Sequence, residues 1–242
     1  MKKDSFLSRI LTYILFIFFY FLYIFVFKIR NKIEVVGKEN LPKRSFGIVS
    51  WANHDSYIDS LPIRACMMNF WDMLFHQNRI PYDVPDYKNF YGIKFKAFLV
   101  KHLRNVPVKR KIKDLSIRDE LVKLCCRILR KWNIHFFFEG GRTINEIRPC
   151  ITSLAEIILN SLEKKLDFIF IPIFIDGMKN IMPREIGQKY LKMKCGHKVT
   201  IIIGKKVDFS DIAEMDCKKE RKIYLIKKRV RDSVIDLKPN TR

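Results

Sequence analysis

The stretch Phe46-Gly-Ile-Val-Ser-Trp-Ala-Asn-His-Asp-Ser-Tyr-Ile-Asp59 passes from an apolar run to a polar segment. Residues 46–50 have the length and composition of a short buried strand. Asn53, Asp55 and Ser56 are residue types that favour the start of a helix. The stretch therefore predicts a strand-to-helix junction, which is where the active sites of α/β folds lie.

His54 and Asp59 form a candidate catalytic pair within this junction. A histidine can take a proton from an alcohol at neutral pH, and a carboxylate on its other ring nitrogen fixes the tautomer. On a regular helix a five-residue spacing separates two side chains by about 140°. We therefore expect His54 at or before the helix start and Asp59 one turn inside the helix. Alone, such a pair is more often structural than catalytic.

A second polar cluster, Glu139-Gly-Gly-Arg-Thr143, follows the apolar run Ile134–Phe138. Glycines allow a backbone to approach a ligand closely. Arg142 offers a planar set of donors that suits phosphate, and exposed backbone N–H groups at the turn would add to it. Such a turn is by itself ordinary, and only its combination with His54 and Asp59 favours an acyl-transfer site.

With both clusters present, the chain resembles the glycerolipid acyltransferases, the family of lysophosphatidic acid and glycerol-3-phosphate acyltransferases, from about residue 33 to about residue 207. Four signature blocks occur in the family order. The family's Asn-His-x4-Asp block is matched by residues 53–59, and a block that ends in arginine is matched by Asn105–Arg110. The Phe-Pro-Glu-Gly-Thr-Arg-Ser block is matched by Phe137–Thr143, and a proline-containing strand by Phe168–Phe174.

The third block departs from the family pattern at several positions. Phe138 replaces the usual proline, Gly141 the usual threonine and Thr143 the usual serine. Gly141 favours the glycerol-3-phosphate branch, but Ile144 stands where that branch commonly has an arginine. The sequence therefore leaves open the choice between glycerol-3-phosphate and its monoacyl form as the acceptor.

The resemblance implies a mechanism and a set of site residues. His54 would remove a proton from the acceptor hydroxyl, which attacks the acyl thioester directly, while Asp59 orients His54. The implied substrate-binding residues are Glu139, Gly140, Gly141, Arg142, Thr143 and Arg110, with Arg142 and Arg110 as candidates for the acceptor phosphate. No metal and no cofactor are implied, and the co-substrate is an acyl thioester of coenzyme A or acyl carrier protein.

The N-terminus predicts attachment to a membrane, because Ile10 to Phe27 contains no charged residue. As a helix these residues span roughly 27 Å, close to the bilayer's hydrocarbon thickness of about 30 Å. A cleaved signal peptide is disfavoured by the length of the run and by the absence of a small-residue cleavage site. Basic residues flank both ends, so the sequence does not decide between a spanning helix and one lying at the surface. Acyl thioesters are cytosolic, so the family resemblance places the catalytic domain on the cytoplasmic face.

Composition is compatible with these partners. The chain has 47 Lys+Arg against 25 Asp+Glu, a formal net charge of +22, which suits anionic substrates and an anionic membrane surface. The same excess suits nucleic acid, although the apolar N-terminus favours lipid, and no nucleic-acid partner is expected. The six cysteines show neither zinc-site spacing nor a disulfide framework, and Cys195-Gly-His197 lacks further ligands, so no metal site is expected.

Short apolar runs and the segments between them predict an α/β fold. Strands are expected at residues 46–50, 134–138, 168–175 and 199–203, and amphipathic helices at residues 121–131 and 154–166. Residues 65–75, rich in methionine and aromatics, are expected to form a core helix, with contact to lipid or to an acyl chain as the alternative. We predict a mixed, largely parallel central sheet flanked by helices and preceded by an N-terminal membrane helix. Residues 1–32 would form the anchor and residues 33–242 the acyltransferase domain, with a basic helical segment from about residue 218.

The sequence thus predicts a membrane-bound O-acyltransferase of phospholipid biosynthesis, with 1-acylglycerol-3-phosphate as the leading acceptor. Glycerol-3-phosphate or another lyso-lipid is the first alternative. A catalytically silent, membrane-anchored module that binds anionic lipid or nucleic acid is the second. A serine hydrolase is disfavoured because the chain has no Gly-x-Ser-x-Gly motif. The oligomeric state is left open.

Overall fold

The computed structural model describes residues 6–67, 70–76, 79–85, 87, 94–108, 115–142, 146–183 and 193–239. Two of the predicted substrate-binding residues, Arg110 and Thr143, lie outside these ranges. The first strand and the end of the N-terminal apolar helix both lie inside them.

Six strands form one mixed sheet in the order β1-β6-β5-β2-β4-β3. The strands are β1 Lys32–Val36, β2 Ile48–Ala52, β3 Tyr82–Asp83, β4 Ile134–Phe137, β5 Ile169–Asp176 and β6 Lys198–Ile203. Neighbouring strands run parallel except β5 and β6, which are antiparallel. The predicted α/β class with a mixed, largely parallel sheet is confirmed.

Helices cover both faces of the sheet. The first face carries α1 Phe6–Tyr23, α2 Ser60–Cys66 and α7 Met178–Ile181. Helix α1 continues as a π-helical segment, Ile24–Ile29. Two further helices, α3 Phe70–Phe75 and α4 Lys94–His102, pack beside α1. The second face carries α5 Leu115–Leu129, α6 Thr152–Glu163, α8 Ser210–Glu214 and α9 Lys219–Ile235. A 3₁₀ turn, Lys38–Asn40, follows β1.

The two cores follow from the alternation of side chains along the strands. In β2, Val49 and Trp51 belong to the core under α5, α6 and α9, whereas Ile48 and Ala52 belong to the core under α1 and α2. Every residue of β2 is buried. A strand covered on both faces reads as a continuous apolar run, and this is why the sequence shows no polar alternation there.

The C-terminal part of the N-terminal apolar helix is packed into the domain. Phe27 is fully buried and Tyr23 is 5% exposed, and both lie in the core cluster with Ile63 of α2 and Ile173 of β5. Farther toward the N-terminus, Phe16 packs with residues of α3. The helix is therefore attached to the domain along its length, although its composition alone would suit a separate anchor.

Several element boundaries differ from the sequence prediction. Strand β2 begins at Ile48, two residues later than predicted, and the short strands β1 and β3 were not predicted. The helix predicted over residues 65–75 corresponds to two helices, because α2 ends at Cys66 and α3 begins at Phe70. Strand β3 has only two residues, too few for a recognisable pattern.

We expect Phe27→Ala to lower the free energy of unfolding by about 3 to 5 kcal/mol, because it leaves a cavity in a fully buried position. Phe25→Ala is the matched control, since Phe25 lies in the same π-helical segment but is 50% exposed. Denaturant unfolding of the detergent-solubilised protein measures both. Equal losses for the two variants would contradict the packing of this segment into the core.

Candidate active site

The loop after β2 is fixed to the neighbouring strand by Asn53. Its side-chain amide donates to the carbonyl oxygen of Ile175 and accepts from the N–H of Ile175, both at 2.8 Å. Asn53 is 4% exposed, so these bonds form away from water, where an unpaired amide would be costly. The side chain thus continues the β2–β5 hydrogen bonding by one residue and sets where His54 begins.

His54 and Asp59 are in direct contact. Nδ1 of His54 lies 2.8 Å from Oδ2 of Asp59, whose side chain is fully buried, and the His54 side chain is 17% exposed. An ionised carboxylate can only accept hydrogen bonds, so this contact places the proton of neutral His54 on Nδ1. Nε2, on the opposite side of the ring, is then the basic nitrogen.

The spacing predicted Asp59 one turn inside the helix. The structure places it instead at the N-cap position of α2. Its Oδ2 also accepts the backbone N–H groups of Asp55, at 2.7 Å, and Ser56, at 2.8 Å. The intervening residues form a turn, which brings the two side chains together without helical geometry. His54 precedes the helix, as predicted.

The second cluster contacts the first through Glu139 and Phe137. Oε1 of Glu139 accepts the backbone N–H of His54 at 3.1 Å, and Oε2 accepts the backbone N–H of Arg148 at 2.8 Å. The Phe137 ring stacks on the His54 imidazole with a centroid distance of 3.9 Å. Both contacts hold His54 in place. The predicted contact of Glu139 with the acceptor stays a prediction.

Gly140 forms the turn that follows Glu139. Its φ is +66°, and a Cβ at this position would lie 2.6 Å from Cγ2 of Ile151. Left-handed backbone and close packing together require glycine here. Gly141, the next residue, is buried, and its role in substrate binding stays a prediction.

Arg142 stacks on Tyr57, three residues after His54. The guanidinium carbon lies 3.3 Å from the centroid of the Tyr57 ring, which is 52% exposed. Nη1 of Arg142 is buried, and among the described residues it has no hydrogen-bond partner. A buried cationic donor without a partner is costly unless a ligand completes its contacts. The structure thus brings Arg142 to the same loop as His54.

A buried polar layer lies behind His54, between the sheet and α2. Oγ of Ser50 is 3.0 Å from Nδ1 of His135, and Arg64 pairs with Asp83 at 3.1 Å. Burial, with Arg64 and His54 adding to the effect, lowers the pKa of His135 to about 3. His135 is therefore neutral at physiological pH.

Asp55 is the second carboxylate of the loop. Burial, together with the neighbouring charge of Asp59, raises its pKa from the ordinary 3.8 to about 6. Hydrogen bonding from Asn53 and the charge of Lys179 act in the opposite direction. A carboxylate held in this way opposes folding once it is ionised.

Among the described residues, no group of three or more histidine, cysteine or acidic side chains lies close enough together to hold a metal ion. Cys66, Cys125, Cys126 and Cys150 are free and buried. Burial raises the pKa of the Cys66 thiol, the nearest of these to the site in the sequence, to about 12. A thiol held in this way is not available as a thiolate nucleophile at neutral pH.

The model of the Acyltransferase family matches residues 32–176, more than half of the chain, and includes both polar clusters. The chain belongs to the acyltransferase family. This confirms the resemblance at family level and identifies the protein as an acyltransferase. The comparison with curated proteins found no match.

The fold of this acyltransferase is similar to a solved structure, that of the 1-acyl-sn-glycerophosphate (LPA) acyltransferase PlsC from Thermotoga maritima. The TM-score is 0.57 and the sequence identity 17%, and the match covers 100% of this chain and 86% of that chain. At this identity the likeness establishes the fold and leaves the substrate to be argued from the site.

Two supporting residues of the acyltransferase site were not given a role from the sequence: Phe137 stacks on His54, and Tyr57 stacks on Arg142. Asn53 was expected to favour the helix start, and the structure shows that it fixes the loop to β5. The sequence did contain a signal for Phe137. His135, Phe137 and Glu139 are spaced two apart, so they lie on the same face of β4 and its end, and His54 lies on that face as well. Tyr57 had no such signal, because its contact with Arg142 joins two loops distant in sequence.

We expect Asp55→Asn to stabilise the protein at pH 7.5 by on the order of 1 kcal/mol and to have little effect at pH 4. The folded-state pKa of about 6 lies above the ordinary 3.8, so the stability cost of ionising Asp55 is absent below about pH 4 and complete above about pH 6. Unfolding measured across this range tests it, with Asp216→Asn, an exposed carboxylate, as control. A pH-independent effect would contradict this account.

Proposed function

We propose that the protein is a membrane-bound O-acyltransferase of phospholipid biosynthesis. It moves a fatty acyl group from an acyl thioester to the hydroxyl of a glycerophospholipid precursor, with 1-acylglycerol-3-phosphate as the acceptor. The observation that carries the proposal is the His54–Asp59 pair, oriented as a base, beside an arginine whose buried Nη1 has no partner among the described residues.

In the proposed reaction, Nε2 of His54 takes the proton of the acceptor hydroxyl while its oxygen attacks the thioester carbonyl carbon. The carbon–sulfur bond then breaks, and the imidazolium returns its proton to the departing thiolate. Asp59 stabilises the imidazolium formed between these steps. Phe137 limits the imidazole to one orientation by stacking. The reaction is balanced without a metal or a cofactor.

The acceptor phosphate is assigned to Arg142. A planar guanidinium binds phosphate through paired hydrogen bonds, and the ring of Tyr57 holds the plane of this one fixed. Glu139 accepts the backbone N–H groups of His54 and Arg148, so we propose that it holds His54 in position. The proposed contributions of Arg110, Thr143 and Gly141 to the same site come from the family resemblance.

Two features of the acyltransferase are proposed from chemistry and composition. The donor is an acyl thioester of coenzyme A or acyl carrier protein, because both carry the reactive carbonyl that the base-activated hydroxyl requires. Attachment to a membrane is supported by the apolar helix Phe6–Ile29, which is long and apolar enough to cross one. The catalytic domain then faces the cytoplasm, where acyl thioesters are found.

The first test is transfer of a labelled acyl group from a coenzyme A thioester, in detergent micelles, to 1-acylglycerol-3-phosphate and to glycerol-3-phosphate separately. Loss of the general base in His54→Ala should lower the turnover rate by roughly 10²- to 10⁴-fold. His197→Ala, a histidine replaced outside the site, should retain activity. Unfolding measurements on all three proteins establish that each is folded.

The acceptor that yields product shows whether the enzyme belongs to the lysophosphatidic acid branch or to the glycerol-3-phosphate branch of the family. Product from glycerol-3-phosphate alone would favour the first alternative, to which Gly141 points. A folded His54→Ala variant with full activity would refute the mechanism. No product with either acceptor, when the thioester of acyl carrier protein is also tested, would favour another lyso-lipid acceptor or the silent binding module.

We expect Tyr57→Leu to raise the KM for the phosphorylated acceptor by about five- to tenfold with little change in kcat, since a stacked guanidinium is worth about 1 kcal/mol. Tyr57→Phe keeps the ring and should behave like the original protein. In an Arg142→Ala background, Tyr57→Leu should have no further effect. An equal loss in that background would show that Tyr57 does not act through Arg142.

A further inference from the structure

Arg64 is a buried arginine of α2 that takes no direct part in the proposed reaction. Its side chain is only 10% exposed, and it stands five residues after Asp59. Nη1 donates to the carbonyl oxygen of Leu103 at 2.7 Å, and Nη2 donates to that of Arg104 at 3.1 Å. Nη2 also lies 3.1 Å from Oδ2 of Asp83. One guanidinium therefore joins α2 to the loop after α4 and to strand β3.

The acceptors of this guanidinium are held together at the edge of the sheet. The backbone N–H of Asp83 donates to the carbonyl oxygen of Arg104 at 3.1 Å, and the carbonyl oxygen of Asp83 accepts the N–H of Val106 at 2.8 Å. A parallel bridge between Asp83 and Asn105 extends the sheet beyond β3 in this way. Arg64 thus contacts a group of acceptors whose relative positions are set by backbone pairing.

Helix α2 depends on tertiary contacts because it is short. It has seven residues, Ser60–Cys66, and a helix of this length gains little stability from its own hydrogen bonds. Ile63 and Cys66 pack into the core with α1 and β5. Apolar packing is non-directional, so it holds the helix on the sheet without fixing its exact position there. A planar guanidinium with three acceptors supplies that direction.

The position of α2 matters to the base because Asp59 stands at the start of this helix. Oδ2 of Asp59 lies 2.8 Å from Nδ1 of His54, so a shift of α2 would change the length and the angle of that contact. Hydrogen bonds weaken steeply as they depart from linear geometry. A contact that fixes α2 therefore also fixes the orientation of the imidazole.

Strand β3 connects the same ion pair to the other side of the imidazole. Asp83 is the register partner of His135 in β4. The His135 ring lies edge-on to Phe137 with centroids 5.0 Å apart, and Phe137 stacks on His54. The contacts form a closed ring. One half leads from His54 through its loop and α2 to Arg64. The other half leads from Asp83 through β3 and β4 to Phe137.

Asp83 and Arg64 depend on each other because both are buried. Burial raises the pKa of Asp83, whereas the charge of Arg64, hydrogen bonding from Ser60 and the charge of His54 lower it. Removing one partner would leave the other charge unpaired, but removing both leaves an apolar contact that is often neutral for stability. The two kinds of change therefore separate the stability of the site from its geometry.

We propose that Arg64 is a positioning residue of the acyltransferase, with Asp83 as its anchor at the edge of the sheet. Through α2, the pair sets the orientation of Asp59 and thereby of the His54 imidazole. Both residues are buried behind the catalytic loop, so their effect on the reaction is indirect. The inference rests on the proposed function and deepens it. It predicts a loss in kcat and not in substrate binding.

The experiment measures acyl transfer and denaturant unfolding of the same variants in detergent. Arg64→Met leaves Asp83 unpaired and should lower the midpoint of unfolding. Arg64→Met/Asp83→Leu removes both charges and should return the midpoint to near that of the original protein. This double variant should nevertheless have a kcat about 10- to 100-fold lower, with the KM for each substrate changed by less than about threefold.

Two further variants complete the comparison. Arg118→Met is the matched control, because Arg118 pairs with the buried Glu156 at 2.9 Å on the opposite face of the sheet, and it should lower the midpoint without changing kcat. Arg64→Lys keeps a cation beside Asp83 and should fold, but an ammonium does not reproduce the geometry of the guanidinium, so kcat should fall. An unchanged kcat in the double variant or in folded Arg64→Lys would overturn the proposal. So would a kcat that follows the midpoint across all the variants.

An effect that acts through Asp59 should disappear when Asp59 no longer holds the base. In an Asp59→Asn background, Arg64→Met/Asp83→Leu should therefore cause no further loss in kcat. The same loss in both backgrounds would show that Arg64 does not act by this route.

A spectroscopic measurement decides the inference without a substrate. In protein with isotope-labelled histidine, the Nδ1–H of His54 that is bonded to Asp59 should give a proton resonance, assigned by its absence from His54→Gln. The resonance should persist in Arg118→Met and be lost or broadened in Arg64→Met/Asp83→Leu. An unchanged resonance in that double variant would refute the inference even in a protein that transfers acyl groups. Its loss, in a protein whose original form acylates neither acceptor, would contradict the proposed function and support the positioning of His54 by Arg64.

Discussion

One carboxylate oxygen, Oδ2 of Asp59, holds the centre of this acyltransferase together. It accepts hydrogen bonds from the ring of His54 and from the backbone N–H groups of Asp55 and Ser56. The same atom therefore shapes the loop and orients the base within it. Because Asp59 is fully buried, the three contacts form in a medium of low polarity, where each is stronger than in water. Asp59 also stands at the start of α2, so the position of that helix depends on it.

The rest of the site is arranged around this loop by the order of the strands. Strand β2 lies between β4 and β5, and both neighbours contribute to holding the loop that follows it. From β4 come Phe137, which stacks on His54, and Glu139, which accepts the His54 N–H. From β5 comes Ile175, which pairs with Asn53. Because β2 is a central strand, the loop after it is held by residues of β4 on one side and of β5 on the other. These contacts give the His54 side chain one fixed position, although it lies in a loop.

The N-terminal apolar helix and the candidate active site share one side of the sheet. Residues of β2, β4 and β5 that point to this side either pack under α1 and α2 or, at the strand ends, support His54. The other side is filled by α5, α6 and α9 and supplies the larger apolar core. The larger core and the candidate site therefore lie on opposite sides of the sheet.

The sequence by itself determined the candidate site residues and the positions of the main strands. Residues 53–59 and 139–142 singled out His54, Asp59 and Arg142, which the structure brings to one loop region, and the apolar runs located β2, β4, β5 and β6, because these signals are local. The tertiary structure alone decided that Tyr57 lies under Arg142 and that α1 is held by the domain along its length. Each of these depends on contacts between segments distant in the chain, and no local spacing encodes them. The role of Glu139 is the clearest case. The family resemblance implied a contact with the acceptor, which stays a prediction, and folding brings two backbone N–H groups to the same carboxylate, so that it also supports the loop.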